Sequence, residues 1–131
     1  MGGLGPHAYT AAKHAIIGIT KSVASELARY GIRANCISPA GMATPMVAAT
    51  MGDHTDLETT RKNLAQVSPL KGRAGLPEDV VNAVLFLASD ESGYTSGLTL
   101  TTDAGITIGS SNPSPFAEYQ PFMGEAGKRG I

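Results

Sequence analysis

The run HAYTAAKHAIIGITK, residues 7–21, places a tyrosine and a lysine four positions apart, at Tyr9 and Lys13. In a helix such residues share a face and stand about 6 Å apart along the axis. A free phenol ionises only near pH 10, so at neutral pH it is a poor base. An ammonium about 4 Å away, at an effective dielectric of about 20, would favour the phenolate by about 4 kcal/mol. Such a pair can take a proton from an alcohol, or return one to a developing alkoxide, near neutral pH. The same spacing also describes an ordinary exposed tyrosine and lysine on a helix surface. By itself it decides nothing.

The elements around the pair can be read from apolar periodicity. Ala12, Ile16, Ile19, Val23 and Leu27 recur at steps of three and four, which predicts a helix from about Ala8 to Tyr30. Ala11, Ala15, Gly18, Ser22 and Ser25 form a neighbouring strip of small residues, open to close approach by another element. Gly31 stands where a left-handed C-cap is expected. IRANCI (32–37) reads as a short strand, and SPAGMATPM (38–46) as a loop punctuated by Pro39, Gly41 and Pro45. Thr55 and Glu58 have capping-box spacing ahead of a short helix with a thin apolar face at Leu57, Leu64 and Val67. Pro77, followed by Glu78 and Asp79, suits the start of a helix over about 77–89. Val80, Val81, Val84, Leu85 and Leu87 predict that this helix is largely buried. LTLTT (98–102) reads as a second strand ending in the turn Asp103–Gly105, and 109–131 as a Gly/Ser/Pro-rich tail.

Long helices between short strands imply an α/β fold with a parallel sheet and crossover connections. Two strands and about three helices are too few for a parallel sheet covered on both faces. Composition agrees with a globular chain: hydrophobic residues make up 42% and charged residues 16% of 131. A net charge of -1, with no basic cluster, argues against a nucleic-acid or anionic-membrane surface. The longest apolar run, AVLFLA at 83–88, is too short to span a bilayer. One cysteine, Cys36, allows no internal disulfide, and with three scattered histidines it makes no metal site. A reducing, cytoplasmic setting is the expectation.

Four segments now stand in order: YTAAK (9–13), NCISPAGMATPM (35–46), RAGLPEDVVNAVLFLASD (73–90) and TSGLTLTTDAG (95–105). Together they resemble the short-chain dehydrogenase/reductase family, over about residues 1–108. The resemblance implies the C-terminal half of a doubly wound, parallel-sheet Rossmann domain. It implies oxidation of a small apolar alcohol, or reduction of a ketone, with NAD or NADP. Tyr9 would be the acid/base, and Lys13 would also hold the nicotinamide ribose. The Pro39–Thr44 loop would receive the nicotinamide. Gly41 would allow close approach, the Met42 backbone would pair with the carboxamide, and the Thr44 hydroxyl would bond the carboxamide or a phosphate.

Departures from the family pattern are small: Ala12 for a serine, Ala40 ahead of Gly41, and Ala104 where a second glycine is common. Residues 45–70 would form a variable lid, with Met42, Met46, Val47 and Met51 outlining an apolar pocket. His7 and His14 flank the tyrosine in surface roles, Asn35 and Cys36 in core or backbone-satisfying ones, and Arg73 in packing or capping. Only eight residues precede Tyr9. The glycine-rich pyrophosphate turn, the residue that chooses between NAD and NADP, and the family's serine would all come earlier. The expectation is therefore a fragment with little activity alone, belonging to a homodimer or homotetramer when full length. The alternative is a non-catalytic module that associates through its helices.

Overall fold

In the computed structural model, residues 6–51 and 56–108 are described. The Thr55 cap and the 109–131 tail lie outside them. Helix α1 (His7–Leu27) runs into a 3-10 turn at Ala28–Tyr30, and strand β1 spans Cys36–Pro39. Helices α2 (Pro45–Met51), α3 (Leu57–Val67) and α4 (Pro77–Ala88) follow. A 3-10 turn at Asp90–Ser92 leads to strand β2 (Thr99–Thr102). The strands pair in parallel, Cys36 opposite Thr99 and Pro39 opposite Thr102. Helix α1 lies against β1, and α4 lies against both strands. This is the expected partial α/β arrangement.

Local chemistry explains the boundaries. Gly31 has φ +71°, and it closes the end of α1 as a left-handed cap. Its N–H reaches Ala28 O at 2.9 Å, and the Ile32 N–H reaches Leu27 O at 3.3 Å. Ile32 is thus spent on the helix end, and the ladder starts four residues later than a strand at 32–37 would require. The intervening residues have other partners. Arg33 donates to Leu87 O at 2.8 Å, Ser92 Oγ at 2.9 Å, Thr95 O at 3.3 Å and Ser89 O at 3.0 Å. A guanidinium thereby satisfies the carbonyl-rich end of α4, where a cation is electrostatically favoured. The Asn35 amide donates to Thr95 O at 2.9 Å and accepts from Leu98 N at 3.0 Å. Pro39 sits at the strand's exposed end, where a missing N–H costs no interior ladder bond.

Asp56 caps α3, its carboxylate accepting from Thr59 N at 2.8 Å. A charged acceptor at the positive helix end is favoured. That bond, then the one from the Thr59 hydroxyl, holds the Asp56 carboxyl below its usual range. The end of the predicted 38–46 loop instead enters helix α2, because the Thr44 Oγ accepts from Val47 N at 3.3 Å and Pro45 suits a first helical position.

The start of α4 follows the sequence closely. Asp79 reaches back to Leu76 N at 2.9 Å, and Arg73 donates to the same carboxylate. Burial does not follow it. Leu87 is buried, but Val81, Val84, Leu85 and Phe86 are exposed. On α1, Ile16 and Ile19 are exposed, and the strip from Ala11 to Ser25 meets solvent. Close approach occurs one residue off that strip, at Ala24, whose Cβ would lie 3.6 Å from a Cβ on Gly97. Two four-residue strands are too narrow to cover both helices. No helix among the described residues is long and apolar enough to cross a membrane.

Candidate active site

Tyr9 and Lys13 lie on the first turns of α1. The Lys13 ammonium sits over the Tyr9 ring, 5.3 Å from its centroid. The contact is one of an ammonium with the negative face of an aromatic ring. Tyr9 is 59% exposed. Among the described residues Lys13 has no carboxylate partner. His14 turns onto its own helix, its Nδ1 lying 2.8 Å from Thr10 O. A ring nitrogen bonded to a carbonyl must donate, which leaves His14 a surface role.

The loop after β1 is built by contact with the loop before α4. Met42 is buried, and Ala43 N donates to Gly75 O at 2.9 Å. A Cβ on Gly75 would stand 2.5 Å from Met42 Sδ, so any larger residue there would have to displace the Met42 side chain. The Met42 backbone N–H and C=O take no hydrogen bond among the described residues. Because the Thr44 Oγ accepts from Val47 N, its own hydrogen remains able to donate. An amide-like donor and acceptor, a hydroxyl donor and an ammonium are the groups that a carboxamide and a ribose diol require.

A cleft of about 300 Å³ opens at the carboxyl ends of the two strands. Gly41, Met42, Leu64, Leu70, Thr102 and Ile106 contribute to its wall. Ligands of open α/β sheets bind at this end. The cleft brings Gly41 and Met42 together with the end of β2, but Tyr9, Lys13, Pro39 and Thr44 do not line it. No hydrogen bond among the described residues joins Tyr9 or Lys13 to the 39–44 loop. The cleft is therefore a neighbour of the proposed chemistry and not its centre.

The turn expected at Asp103–Gly105 closes β2, and its carboxylate organises it. Asp103 accepts from Gly105 N at 2.9 Å, Thr107 N at 2.9 Å and the Thr107 hydroxyl. The Thr107 hydroxyl first, and then these N–H groups, hold its carboxyl below the usual carboxylate range. Ala104 takes φ +57° there, in the left-handed region.

A family model described as enoyl-(acyl carrier protein) reductase matches residues 1–107. The chain belongs to the short-chain dehydrogenase/reductase family. Among curated members of that family, it is 50% identical over 111 residues to (+)-borneol dehydrogenase 2 of Salvia officinalis, covering 82% of this chain and 39% of the relative. It is 46% identical over 111 residues to xanthoxin dehydrogenase of Arabidopsis thaliana, again covering 82% and 39%. A crystal structure of a short chain dehydrogenase from Leptospira borgpetersenii serovar Hardjo-bovis with bound NAD+ superposes with a TM-score of 0.60 at 39% identity. That match covers 79% of this chain and 36% of the other. The chain thus spans about two fifths of the length of these family members.

Proposed function

We propose that this chain carries the acid–base and nicotinamide-facing part of an NAD(P)-dependent oxidoreductase acting on a small apolar secondary alcohol or its ketone. The observation that carries the reading is the Tyr9–Lys13 pair, with an exposed phenol and an ammonium that has no carboxylate partner among the described residues. When bound, the dinucleotide supplies the hydride acceptor or donor. Tyr9 takes the alcohol proton at its phenolate oxygen in oxidation and returns it in reduction. Lys13, one turn along the same helix, would hold the ribose hydroxyls. The Met42 backbone and the Thr44 hydroxyl receive the carboxamide, Gly41 leaves room beside it, and Pro39 stiffens the turn out of β1. Met46 and Met51 offer an exposed, adaptable apolar surface for substrate. The full-length protein, in this reading, is a homodimer or homotetramer.

The test joins this chain to the preceding part of the borneol dehydrogenase relative and follows NAD(P)H absorbance with cyclic alcohols. Tyr9→Phe should lower kcat about 100-fold or more, the usual share of a general acid–base. Undiminished turnover would remove Tyr9 from the chemistry. A second reading, a non-catalytic association module, is favoured by the exposed apolar residues of α1 and α4. It predicts that the joined protein assembles normally yet shows no turnover even with Tyr9 intact.

A further inference from the structure

One carboxylate shapes the loop before α4. Asp79 Oδ1 accepts from the Arg73 guanidinium, and its Oδ2 accepts from Leu76 N at 2.9 Å. The Asp79 N–H in turn donates to Leu76 O at 3.0 Å, and the Arg73 N–H donates to Leu70 O at 3.1 Å. Residues 73 and 76 are thus gripped by a single side chain. Ala74 and Gly75 are held between them, and Ala74 is buried. Both bonds to the carboxylate are charge-assisted, so they are stronger than a neutral pair would be.

The group this turn presents is the Gly75 carbonyl, which accepts from Ala43 N at 2.9 Å. At the other end of the same segment, Ala40 N donates to Thr102 O at 3.2 Å. The 40–43 backbone is therefore tied at two points, one on β2 and one on the 73–76 turn. Gly41 and Met42 lie between the ties, and their N–H groups make no hydrogen bond among the described residues. Free backbone groups meet a ligand in one orientation only when their flanks are fixed. The sheet fixes one flank. The other depends on Asp79, which makes no hydrogen bond to the 40–44 segment among the described residues, so its effect passes through the turn.

We propose that Asp79 is a positioning residue: by bracing Arg73 and Leu76 it aims the Gly75 carbonyl at Ala43, and so sets the Gly41–Met42 backbone that receives the carboxamide. The carboxamide's part rests on the hydride-transfer reading, whereas the brace is a property of the chain alone.

The test is amide hydrogen exchange, read residue by residue on the full chain without cofactor. Asp79→Asn keeps the side chain's shape and can still accept from Leu76 N, but its amide nitrogen cannot accept from Arg73. Exchange at Ala43 should rise about tenfold or more, as expected when a bond to a charged group is lost. Cys36, whose N–H bonds Leu98 O at 2.8 Å at the far end of β1, should rise far less. An equal rise at both amides would be a general loss of stability and would overturn the proposal, as would an unmoved Ala43. Arg73→Ala removes one arm of the brace from its more exposed side and leaves the Leu76 bond in place. It reads the brace even where Asp79→Asn fails to fold, and the same two outcomes count against it. In the joined protein, Asp79→Asn should raise KM for NAD(P) by roughly tenfold with a smaller change in kcat, the reverse of Tyr9→Phe. An unchanged KM beside a selective rise at Ala43 would overturn the positioning role. Absence of turnover with Asp79 intact would count against the hydride-transfer reading and leave the exchange result to decide the brace.

Discussion

Ala104 holds φ +57° beside Gly105 at φ +85°. A left-handed alanine costs about 1–2 kcal/mol, of which glycine would return part after its greater unfolded-state freedom is counted. Ala104→Gly should therefore raise stability by about 0.5–1 kcal/mol in urea unfolding. A loss would mean that the Asp103 bonds hold this backbone without strain. Asp103 carries a pH prediction of its own. Its folded carboxyl binds a proton more weakly than in the unfolded chain, as does that of Asp79, held down first by Arg73 and then by the Leu76 N–H. The unfolded state thus takes up more protons as acid is added. The stabilisation is complete above the ordinary carboxylate value of about 4 and is lost as pH falls below it, through the folded values. Melting temperature should drop between pH 6 and pH 3, and Asp103→Asn should shrink that drop. An equal drop in the variant would exclude Asp103 as a contributor.

Helices α1 and α4 have similar apolar stripes and unequal burial within each stripe. Leu87 is 8% exposed and Ile19 is 60% exposed. Leu87→Ala should cost about 2–5 kcal/mol, the range for emptying a core site. Ile19→Ser should change stability by no more than about 0.5 kcal/mol, as at other surface positions. Equal costs in denaturant unfolding would show that the α1 face is covered in solution. Periodicity marks both stripes equally, because it records which side of a helix is apolar and not what lies opposite. The Arg33 clamp was hidden for a related reason. Its four acceptors come from residues 87–95, more than fifty positions away.

At the scale of the whole molecule, the described residues hold two strands and four α-helices, of which α1 and α4 pack on the strands, and each strand has one neighbour among them. A parallel sheet of this kind ordinarily has both faces covered. The relatives are more than twice as long, and this chain matches about two fifths of them. The Tyr9→Phe comparison therefore belongs to the joined protein, in which α1 and the 39–44 loop would meet the remaining sheet. The 131 residues by themselves are the control, with little turnover expected in the NAD(P)H assay.

Local chemistry alone determined much of this protein. Helix α1, its Gly31 cap, the start of α4 at Pro77 and strand β2 are written in propensities and capping that act over a few residues. The order of four motif segments identified the family. Tertiary structure decided what local rules cannot express. Ile32 and Arg33 left the strand because a helix end and a distant carbonyl cluster held them first. Met42 became buried against the Gly75 loop. Each of these depends on partners brought together by the fold, and their energies exceed the small preferences that a short window of sequence records.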